Sequence, residues 1–248
     1  MKAMIFAAGL GSRLKPITDS LPKALVPVGG KPLLEHNILK LKQAGFDEIM
    51  INIHHFGDQI IDFLAAKNNF DIRIELSDER NELLDTGGGM KKAAYFFDDD
   101  RPFLVHNVDI LSNVDLKEVY NQHLKDPERL ASLVVSYRDT YRYLIFDDSG
   151  CLQGWVNIRT GETKPLKNMY ILPFQKFAYA GIQVVSPRIF RLMEKEPEKF
   201  PIMDFYLQNC ITQKIAGYVP ENLRMLDVGK LNSLNTAEEF ILQNVNMP

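Results

Sequence analysis

The sequence predicts an α/β fold built on a mostly parallel sheet, and three observations support this. Residues 3–8 are a short, uninterrupted apolar run, which is typical of a strand covered on both faces. Comparable runs alternate with helical patterns over residues 1–110, as parallel strands with helical crossovers require. The chain beyond this point is richer in strands, so we expect a mixed sheet within one continuous domain, residues 1–248.

The elements of the first half follow from apolar spacing and from the residues that interrupt it. A helix is expected over residues 31–44, because Leu34 and Ile38 recur at helical spacing. Pro32 suits its first position and Gly45 can end it. The other expected elements are strands at 48–54, 71–76 and 102–110, a helix opening at Gly57, and a helix that follows the glycine run and ends near Phe96.

The second half is expected to contain four strands, three helices and one irregular stretch. Residues 147–150 (Asp-Asp-Ser-Gly) predict a hairpin turn, and residues 236–239 have the spacing of a helix capping box. The stretch 157–177 is the least regular part, and we expect it to be a flap or a substrate loop. The expected strands are 130–137, 141–150, 151–158 and 177–186, and the further helices are near 187–196 and 203–215.

Composition excludes several classes of protein. Hydrophobic residues make up 46% of the chain and charged residues 25%, which is ordinary for a globular protein. The net charge is −3 without a block of like charge, so no nucleic-acid partner is expected. No apolar stretch approaches the roughly 20 residues of a membrane span and no signal peptide is evident, so no membrane partner is expected. Cys151 and Cys210 form no close pair, which favours a reducing, cytoplasmic location.

The segment after the first strand combines glycine with an excess of positive charge. Between Gly9 and Lys31 the chain carries four basic residues and one acid; they are Arg13, Lys15, Lys23, Lys31 and Asp19. Gly9 and Gly11 allow a sharp turn that exposes backbone N–H groups, the geometry that cradles phosphate oxygens. A phosphate-binding loop is one interpretation, and a surface loop with solvated lysines is the other.

Two familiar phosphate motifs are excluded. The dinucleotide fingerprint G-x-G-x-x-G fails because Leu14 occupies the position of its third glycine. The P-loop pattern fails around Gly30 and Lys31, because Leu25 stands at the first glycine position and Pro32 follows the lysine.

Three further features could carry chemistry. The glycine run 87–89 lies between an expected strand and an expected helix, and indicates either close backbone approach to a ligand or a tight turn. Asp109 and Asp227 each follow an apolar strand, where ligands of open α/β sheets bind, and a divalent cation would suit such carboxylates. The alternatives for either are an N-cap or a salt bridge to the basic loop. Asn107 could hydrogen-bond a ribose or a base.

Residues 7–36 resemble the N-terminal signature of the sugar-1-phosphate nucleotidyltransferases, G-x-G-[ST]-R-[LM] followed about ten residues later by P-K. The segments 83–93, 103–110, 177–187 and 226–234 also resemble landmarks of that family, in the same order, so the resemblance spans nearly the whole chain. The form Asp-Thr-Gly-Gly-Gly is most similar to the short bacterial N-acetylmuramate-1-phosphate uridylyltransferases of cell-wall recycling.

The resemblance implies a Rossmann-like, three-layer α/β/α fold, with a nucleotide-binding part at about 1–112 and a sugar-phosphate-binding part at about 113–248. It implies an NTP (UTP by the closest resemblance), Mg²⁺ and a sugar 1-phosphate, with release of pyrophosphate. Its nucleotide-binding set would be Ala8, Gly9, Gly11, Ser12, Gly87, Gly88 and Asn107. Arg13 and Lys23 would be catalytic, Asp109 and Asp227 would hold the metal, and Gly181 and Lys164 would bind the sugar phosphate.

Two departures from the family pattern matter. Val108 precedes Asp109 where relatives commonly have glycine, and Thr163 interrupts the E-K-P motif whose lysine holds the sugar phosphate. Lys164 is the expected substitute, and Lys167 competes with it. Other readings stay open: a mannose- or glucose-1-phosphate guanylyl- or thymidylyltransferase, a related glycosyltransferase, or a non-catalytic protein that binds a nucleotide or nucleotide sugar.

Overall fold

The structure is a computed structural model that describes residues 1–165 and 174–244, and the chain divides into two compact units. The first unit comprises residues 1–84, residues 105–117 and the described residues from 224 onward. The second comprises residues 85–104 and the described residues of 118–223. Among the described residues, no helix combines the length and the apolar character that crossing a membrane requires.

Helices and strands alternate through the first half of the described chain, and strands predominate in the second. The α-helices are α1 (Leu33–Gln43), α2 (Gly57–Ala66), α3 (Asp85–Lys92), α4 (Leu116–Leu124), α5 (Ile189–Met193), α6 (Ile202–Asn209) and α7 (Ser233–Asn244). The strands are β1 (Lys2–Phe6), β2 (Pro27–Val28), β3 (Lys31–Pro32), β4 (Glu48–Ile53), β5 (Arg73–Asp78), β6 (Phe103–Asn107), β7 (Ile110–Ser112), β8 (Arg129–Ser136), β9 (Arg142–Phe146), β10 (Leu152–Asn157), β11 (Glu162–Lys164), β12 (Gln175–Val185), β13 (Lys214–Tyr218) and β14 (Met225–Asp227).

The sheet of the first unit has the strand order β6-β1-β4-β5. β1 pairs in parallel with β4, and β4 pairs in parallel with β5. The central residues of β1 and β4 have no exposed surface; they are Ala3, Met4, Ile5, Ile49, Met50 and Ile51. Strands covered on both faces need continuous apolar runs, and this confirms the parallel sheet expected from them.

The sheet of the second unit is mainly antiparallel. Its order is β11-β10-β9-β12, β8 lies beside β12, and β13 pairs with β8. The β8–β13 pair is parallel, whereas β12 pairs antiparallel with both β8 and β9. The predicted hairpin turn is present: Gly150 has φ +75° and donates its N–H to Asp147 O at 2.9 Å. The prediction of a mixed sheet is therefore confirmed.

A buried histidine on α4 cross-links elements of the second unit. His123 has 2% of its surface exposed, and its two ring nitrogens each lie 3.0 Å from a hydroxyl, of Ser132 and of Ser186. Ser186 donates its own proton to Arg129 O at 2.6 Å, so the Nε2–H of His123 must donate to Ser186. Burial, reinforced by the nearby Arg129 charge, lowers the pKa of His123 to about 4.

Several expected boundaries were wrong. The strand expected over 102–110 is two strands, because Ile110–Ser112 pairs with β14 in a separate two-stranded sheet. The helix expected after the glycine run begins at Asp85 and includes the three glycines. The last helix begins at Ser233, where the side chain donates to Lys230 O, so residues 236–239 are not its capping box.

The other differences lie in the second half. The helices expected near 187–196 and over 203–215 are shorter, Ile189–Met193 and Ile202–Asn209. The described part of the stretch 157–177 is more regular than expected, because it contains Glu162–Lys164 and the start of Gln175–Val185. Residues 166–173, which include the second candidate lysine, Lys167, lie outside the described residues.

Candidate active site

The loop that follows β1 turns at Gly11, where φ is +64°. A Cβ at this position would lie 2.9 Å from Thr18 Cγ2 and 3.1 Å from Lys23 Cβ, so both backbone and packing require glycine. Thr18 also donates its hydroxyl to Gly11 O at 2.8 Å. Gly9 differs, because it is exposed and a Cβ there would meet nothing within 4 Å. Its backbone, between the buried Ala8 and the loop residue Ser12, is open to a ligand.

The basic residues of this loop do not share one role. Lys15 forms an exposed ion pair with Asp19 at 3.0 Å, so the solvated-loop reading fits this residue. Lys23 forms an ion pair with Asp109, and the two side chains are only 10% and 17% exposed. Because burial makes an unpaired charge expensive, this pair stabilises the arrangement of Lys23 against the end of β6.

The two candidate metal ligands are brought together by β7 and β14 of the first unit. These strands pair antiparallel with Asp227 opposite Ile110, and Val228 donates its N–H to Asp109 O at 2.8 Å. Aspartates 118 positions apart (227 − 109) therefore lie at adjacent places in one ladder. One oxygen of Asp227, Oδ1, is buried without a hydrogen-bond partner among the described residues.

Gly229 makes room for Arg13 beside Asp227. A Cβ on Gly229 would lie 2.6 Å from Asp227 Oδ1 and 3.0 Å from Arg13 Nη2, so any side chain would displace one of them. Arg13 is exposed and has no hydrogen-bond or ion-pair partner in residues 1–165 and 174–244. Its forked guanidinium is thus available beside Asp227. The sequence showed the glycine two residues after Asp227 but gave no reason to assign it.

The donor set suits a divalent cation shared with phosphate. An orphaned, buried carboxylate oxygen is costly unless a cation binds it, and Asp227 Oδ1 is such an atom. A phosphate-bound Mg²⁺ typically takes one or two protein carboxylates. Within the described part of the chain, no group of three or more His, Cys, Asp or Glu residues could hold a metal by itself.

Asn107 is the last residue of β6, and Val108 lies between β6 and β7. Asn107 is half-buried at the end of β6, and its side chain has no hydrogen-bond partner among the described residues. Val108 is 4% exposed, so its side chain packs in the interior. The backbone of Val108 is held from two sides, by Phe6 O at 3.2 Å and by the side-chain amide of Asn37, which donates to Val108 O at 3.0 Å.

Two buried titratable groups of the first unit are His106 in β6, next but two to Asp109 in the chain, and Lys40 in α1. Burial, with help from the Lys40 charge, lowers the pKa of His106 to about 3, so the imidazole is neutral near pH 7. Burial also lowers the pKa of Lys40 to about 7. Lys40 donates to both the carbonyl and the hydroxyl of Ser112 in β7, and it lines a cavity of about 510 Å³ that includes neither Asp109 nor Arg13.

Gly87 and Gly88 lie in the second unit, within the first turn of α3. Their N–H groups donate to Phe200 O at 2.8 and 3.2 Å, so both are already satisfied. A Cβ on Gly87 would lie 2.3 Å from Phe200 Cε2, so packing alone accounts for glycine there. Thr86 fixes the same turn by accepting the N–H of Ile202 at 2.9 Å.

The two expected sugar-phosphate residues also lie in the second unit. Gly181 is buried in β12, where the register against β8 shifts. Its φ is +76°, a left-handed conformation that glycine adopts without strain. Lys164 ends β11, where it forms an ion pair with Asp204 at 3.2 Å and lies 5.9 Å from the ring centre of Trp155.

Sequence reasoning missed two buried polar residues of the first unit. Asn52, in β4, accepts the N–H of Ala7 at 2.8 Å and donates to Glu79 at 2.8 Å. Neither residue gave a signal, because Asn52 stands in an apolar run and Glu79 in a charged segment that is typical of a surface.

Comparison with known proteins places the chain in a family. The model described as "Nucleotidyl transferase" matches residues 2–244. N-acetylmuramate alpha-1-phosphate uridylyltransferase of Caulobacter vibrioides is 30% identical over 240 residues, 90% of each chain. The protein of the same name from Neisseria meningitidis serogroup B is 41% identical over 132 residues, 53% of this chain and 57% of that one. The chain therefore belongs to the nucleotidyl transferase family, and within it to the sugar-1-phosphate nucleotidyltransferases.

Solved structures agree on the fold. HddC from Yersinia pseudotuberculosis is 24% identical with a TM-score of 0.77, over 97% of this chain and 99% of that one. A putative glucose-1-phosphate thymidylyltransferase from Bacillus anthracis is 22% identical with a TM-score of 0.78, over 97% of this chain and 94% of that one. The expected Rossmann-like nucleotidyltransferase fold is confirmed.

Proposed function

We propose that the protein transfers UMP from UTP to N-acetylmuramate 1-phosphate and releases pyrophosphate. The observation that carries the chemistry is the grouping of Arg13, Lys23, Asp109 and Asp227 in the first unit. The choice of substrates rests on two relatives named N-acetylmuramate alpha-1-phosphate uridylyltransferase. Such an activity would belong to cell-wall recycling in the cytoplasm, and the two free cysteines fit that location.

The reaction needs no protein nucleophile. A phosphate oxygen of the sugar 1-phosphate attacks the α-phosphorus of UTP in line, and the bond to the pyrophosphate oxygen breaks. Catalysis then depends on positioning and on neutralising negative charge. Arg13 is assigned to the β- and γ-phosphates, because its fork can hold two oxygens of the group that leaves.

Lys23 and the two aspartates act at the α-phosphate. Asp109 and Asp227 would hold a divalent cation, for which we propose Mg²⁺; when bound it would neutralise charge on the phosphate oxygens. Lys23 would leave Asp109 and place its point charge beside the attacked phosphorus. The exposed backbone at Gly9, with Ala8, Gly11 and Ser12, would follow the phosphates, and Asn107 would bond the ribose or base.

The remaining assignments lie in the second unit. Gly88 would approach the nucleoside through its Cα atom, and so would Gly87, which lies in the same turn. Their N–H groups are not available to a ligand, because both already donate to Phe200 O. Gly181 would lie beside the sugar. Lys164 would leave its ion pair with Asp204 and bind the sugar phosphate instead.

A pyrophosphate-release screen tests the proposal. UTP, GTP, CTP and dTTP are each combined with the 1-phosphates of N-acetylmuramate, glucose and mannose. We expect the highest turnover for UTP with N-acetylmuramate 1-phosphate, and loss of most turnover in Asp109→Asn with the fold intact by circular dichroism. Mannose-1-phosphate guanyltransferase of Aspergillus fumigatus, 33% identical over 211 residues, makes GTP with mannose 1-phosphate the rival pair. Tight nucleotide binding with no pyrophosphate from any pair would refute catalysis, and near-normal turnover of Asp109→Asn would refute its metal role.

A further inference from the structure

A buried hydrogen-bonded chain in the first unit joins the loop after β1 to the residue that precedes α3. Its two side chains, Asn52 and Glu79, are 3% and 1% exposed. Ala7 donates its N–H to Asn52 Oδ1 at 2.8 Å, and Asn52 Nδ2 donates to Glu79 Oε1 at 2.8 Å. The second carboxylate oxygen, Oε2, accepts the N–H of Leu84 at 3.1 Å.

The direction of these bonds is fixed by chemistry. An ionised carboxylate only accepts, so Glu79 obliges Asn52 to present its NH₂ on that side. The amide oxygen of Asn52 is thereby turned towards the N–H of Ala7. A flipped amide would place donor against donor at Ala7 and acceptor against acceptor at Glu79. The N–H of Ala7 and the carboxylate of Glu79 therefore both require the same orientation of the Asn52 amide, and Glu79 reinforces it.

Glu79 is itself held at its backbone. Its N–H donates to Ile53 O at 2.7 Å, at the end of β4. Its carbonyl accepts from His54 Nδ1 at 2.6 Å and from the N–H of Glu82 at 3.1 Å. The backbone of Glu79 is therefore fixed in position. A side chain that orients another side chain needs such a fixed backbone.

We propose that Asn52 and Glu79 are positioning residues for nucleotide binding. They hold the buried N–H of Ala7, and so set the direction in which Ala8 and Gly9 leave β1. The inference rests on the proposed function only in assigning that loop to the nucleotide. A buried carboxylate is an expensive way to fill space, and an apolar pair would fill it more cheaply. The polar pair instead fixes one orientation of the backbone at Ala7.

The test exchanges donors and acceptors between Asn52 and Glu79 in the buried hydrogen-bonded chain. In Glu79→Gln the new NH₂ must face either Asn52 Nδ2 or Leu84 N–H, and in Asn52→Asp two carboxylates face each other. In the double variant Asn52→Asp/Glu79→Gln, the carboxylate at position 52 accepts from Ala7 and from the NH₂ at position 79. The carbonyl oxygen at position 79 then accepts from Leu84, so the three bonds Ala7–52, 52–79 and 79–Leu84 each have a donor and an acceptor again.

The readouts are the Kd of UTP from calorimetry and the KM of each substrate. We expect each single variant to weaken UTP binding about tenfold, because a buried amide loses its acceptor or two like groups face each other. The KM of the sugar 1-phosphate should stay within about twofold, and the double variant should recover UTP binding to within about threefold. If Glu79→Gln does not fold, Glu79→Asp carries the test, since it keeps the charge but cannot reach both partners.

Leu64→Ala is the matched control, because Leu64 is 3% exposed in α2 and contacts none of these groups by hydrogen bonding. It should lower the midpoint of unfolding and leave the Kd of UTP unchanged. A folded Glu79 variant with wild-type UTP binding, a double variant no better than the weaker single one, or the same Kd change in Leu64→Ala would each overturn the inference. If the wild type prefers another nucleotide, the Kd of that nucleotide is measured for the same variants. The positioning role of Asn52 and Glu79 can then be tested even if UTP is not the substrate.

Discussion

Replacing Lys23 by methionine should strengthen the binding of a divalent cation while it lowers turnover. The ammonium of Lys23 is paired with Asp109, one of the two carboxylates assigned to the metal. A metal ion must displace that ammonium before it can bind the same oxygen. Methionine has a similar length and no charge, so it removes the competitor and leaves the space filled.

The size of the effect follows from the burial of the pair. Two unit charges in hydrogen-bond contact attract by roughly 5 kcal/mol at an effective dielectric constant of about 20. The side chains are 10% and 17% exposed, so solvent screens part of this attraction. If about 1.5 to 3 kcal/mol remains, the Kd of the metal should fall by roughly 10- to 100-fold. Turnover should fall about 100-fold or more, because the charge that we propose for the α-phosphate is lost.

The assay measures free Mn²⁺ by electron paramagnetic resonance, without nucleotide, for the wild type, Lys23→Met and Lys15→Met. Lys15 is the control, because its ion pair with Asp19 is exposed on both sides, 63% and 53%. We expect Lys15→Met to bind Mn²⁺ as the wild type does. Equal or weaker binding by Lys23→Met would refute the reasoning, and so would the same gain in Lys15→Met, since that would make the effect one of net charge.

Three further predictions follow from the geometry. Arg13→Lys should lower kcat/KM about tenfold or more, because an ammonium cannot replace a fork on two phosphate oxygens; wild-type kinetics would show that Arg13 is a solvated residue. Gly87→Ala should lower the free energy of unfolding by about 2 kcal/mol or more, because its Cβ would lie 2.3 Å from Phe200 Cε2; an unchanged urea midpoint would contradict this packing. The pKa of His123 is lowered from 6.5 to about 4, so between these values the unfolded chain binds the proton and the folded one does not. Stability should therefore fall by about 2 kcal/mol between about pH 7 and about pH 5, and His123→Gln should lose that part of the pH dependence in urea unfolding; identical slopes for variant and wild type would refute it.

The sequence was a good guide where a local pattern decides the structure. Apolar runs located β1 and β4, and Gly45, with φ +88° just beyond α1, ended that helix as expected. The break between β6 and β7 was missed, because it depends on the pairing of β7 with β14 in a separate sheet. That partner strand is distant in sequence, so no local spacing reports it.

The candidate site divides in the same way. Arg13, Lys23 and Asp109 could be chosen as candidates from the sequence, because charge, glycine and strand ends form a local pattern. The polar residue in the apolar run of β4, Asn52, could not be, since its role depends on Ala7 and Glu79 meeting it in space. The glycine run was readable but ambiguous, and the contact of Gly87 with Phe200 could not be seen from either segment alone.

The division of the first unit into three chain segments has a consequence for how the protein is made. Asp109 leaves the ribosome long before Asp227, and at about 5 to 20 residues per second the 118 intervening residues take roughly 6 to 24 s. During that interval β7 has no β14 to pair with, whereas Lys23 is already available to pair with Asp109. A polypeptide released early therefore carries the loop after β1 and Asp109 but lacks Asp227. Completion of translation thus acts as the step that assembles the proposed catalytic group.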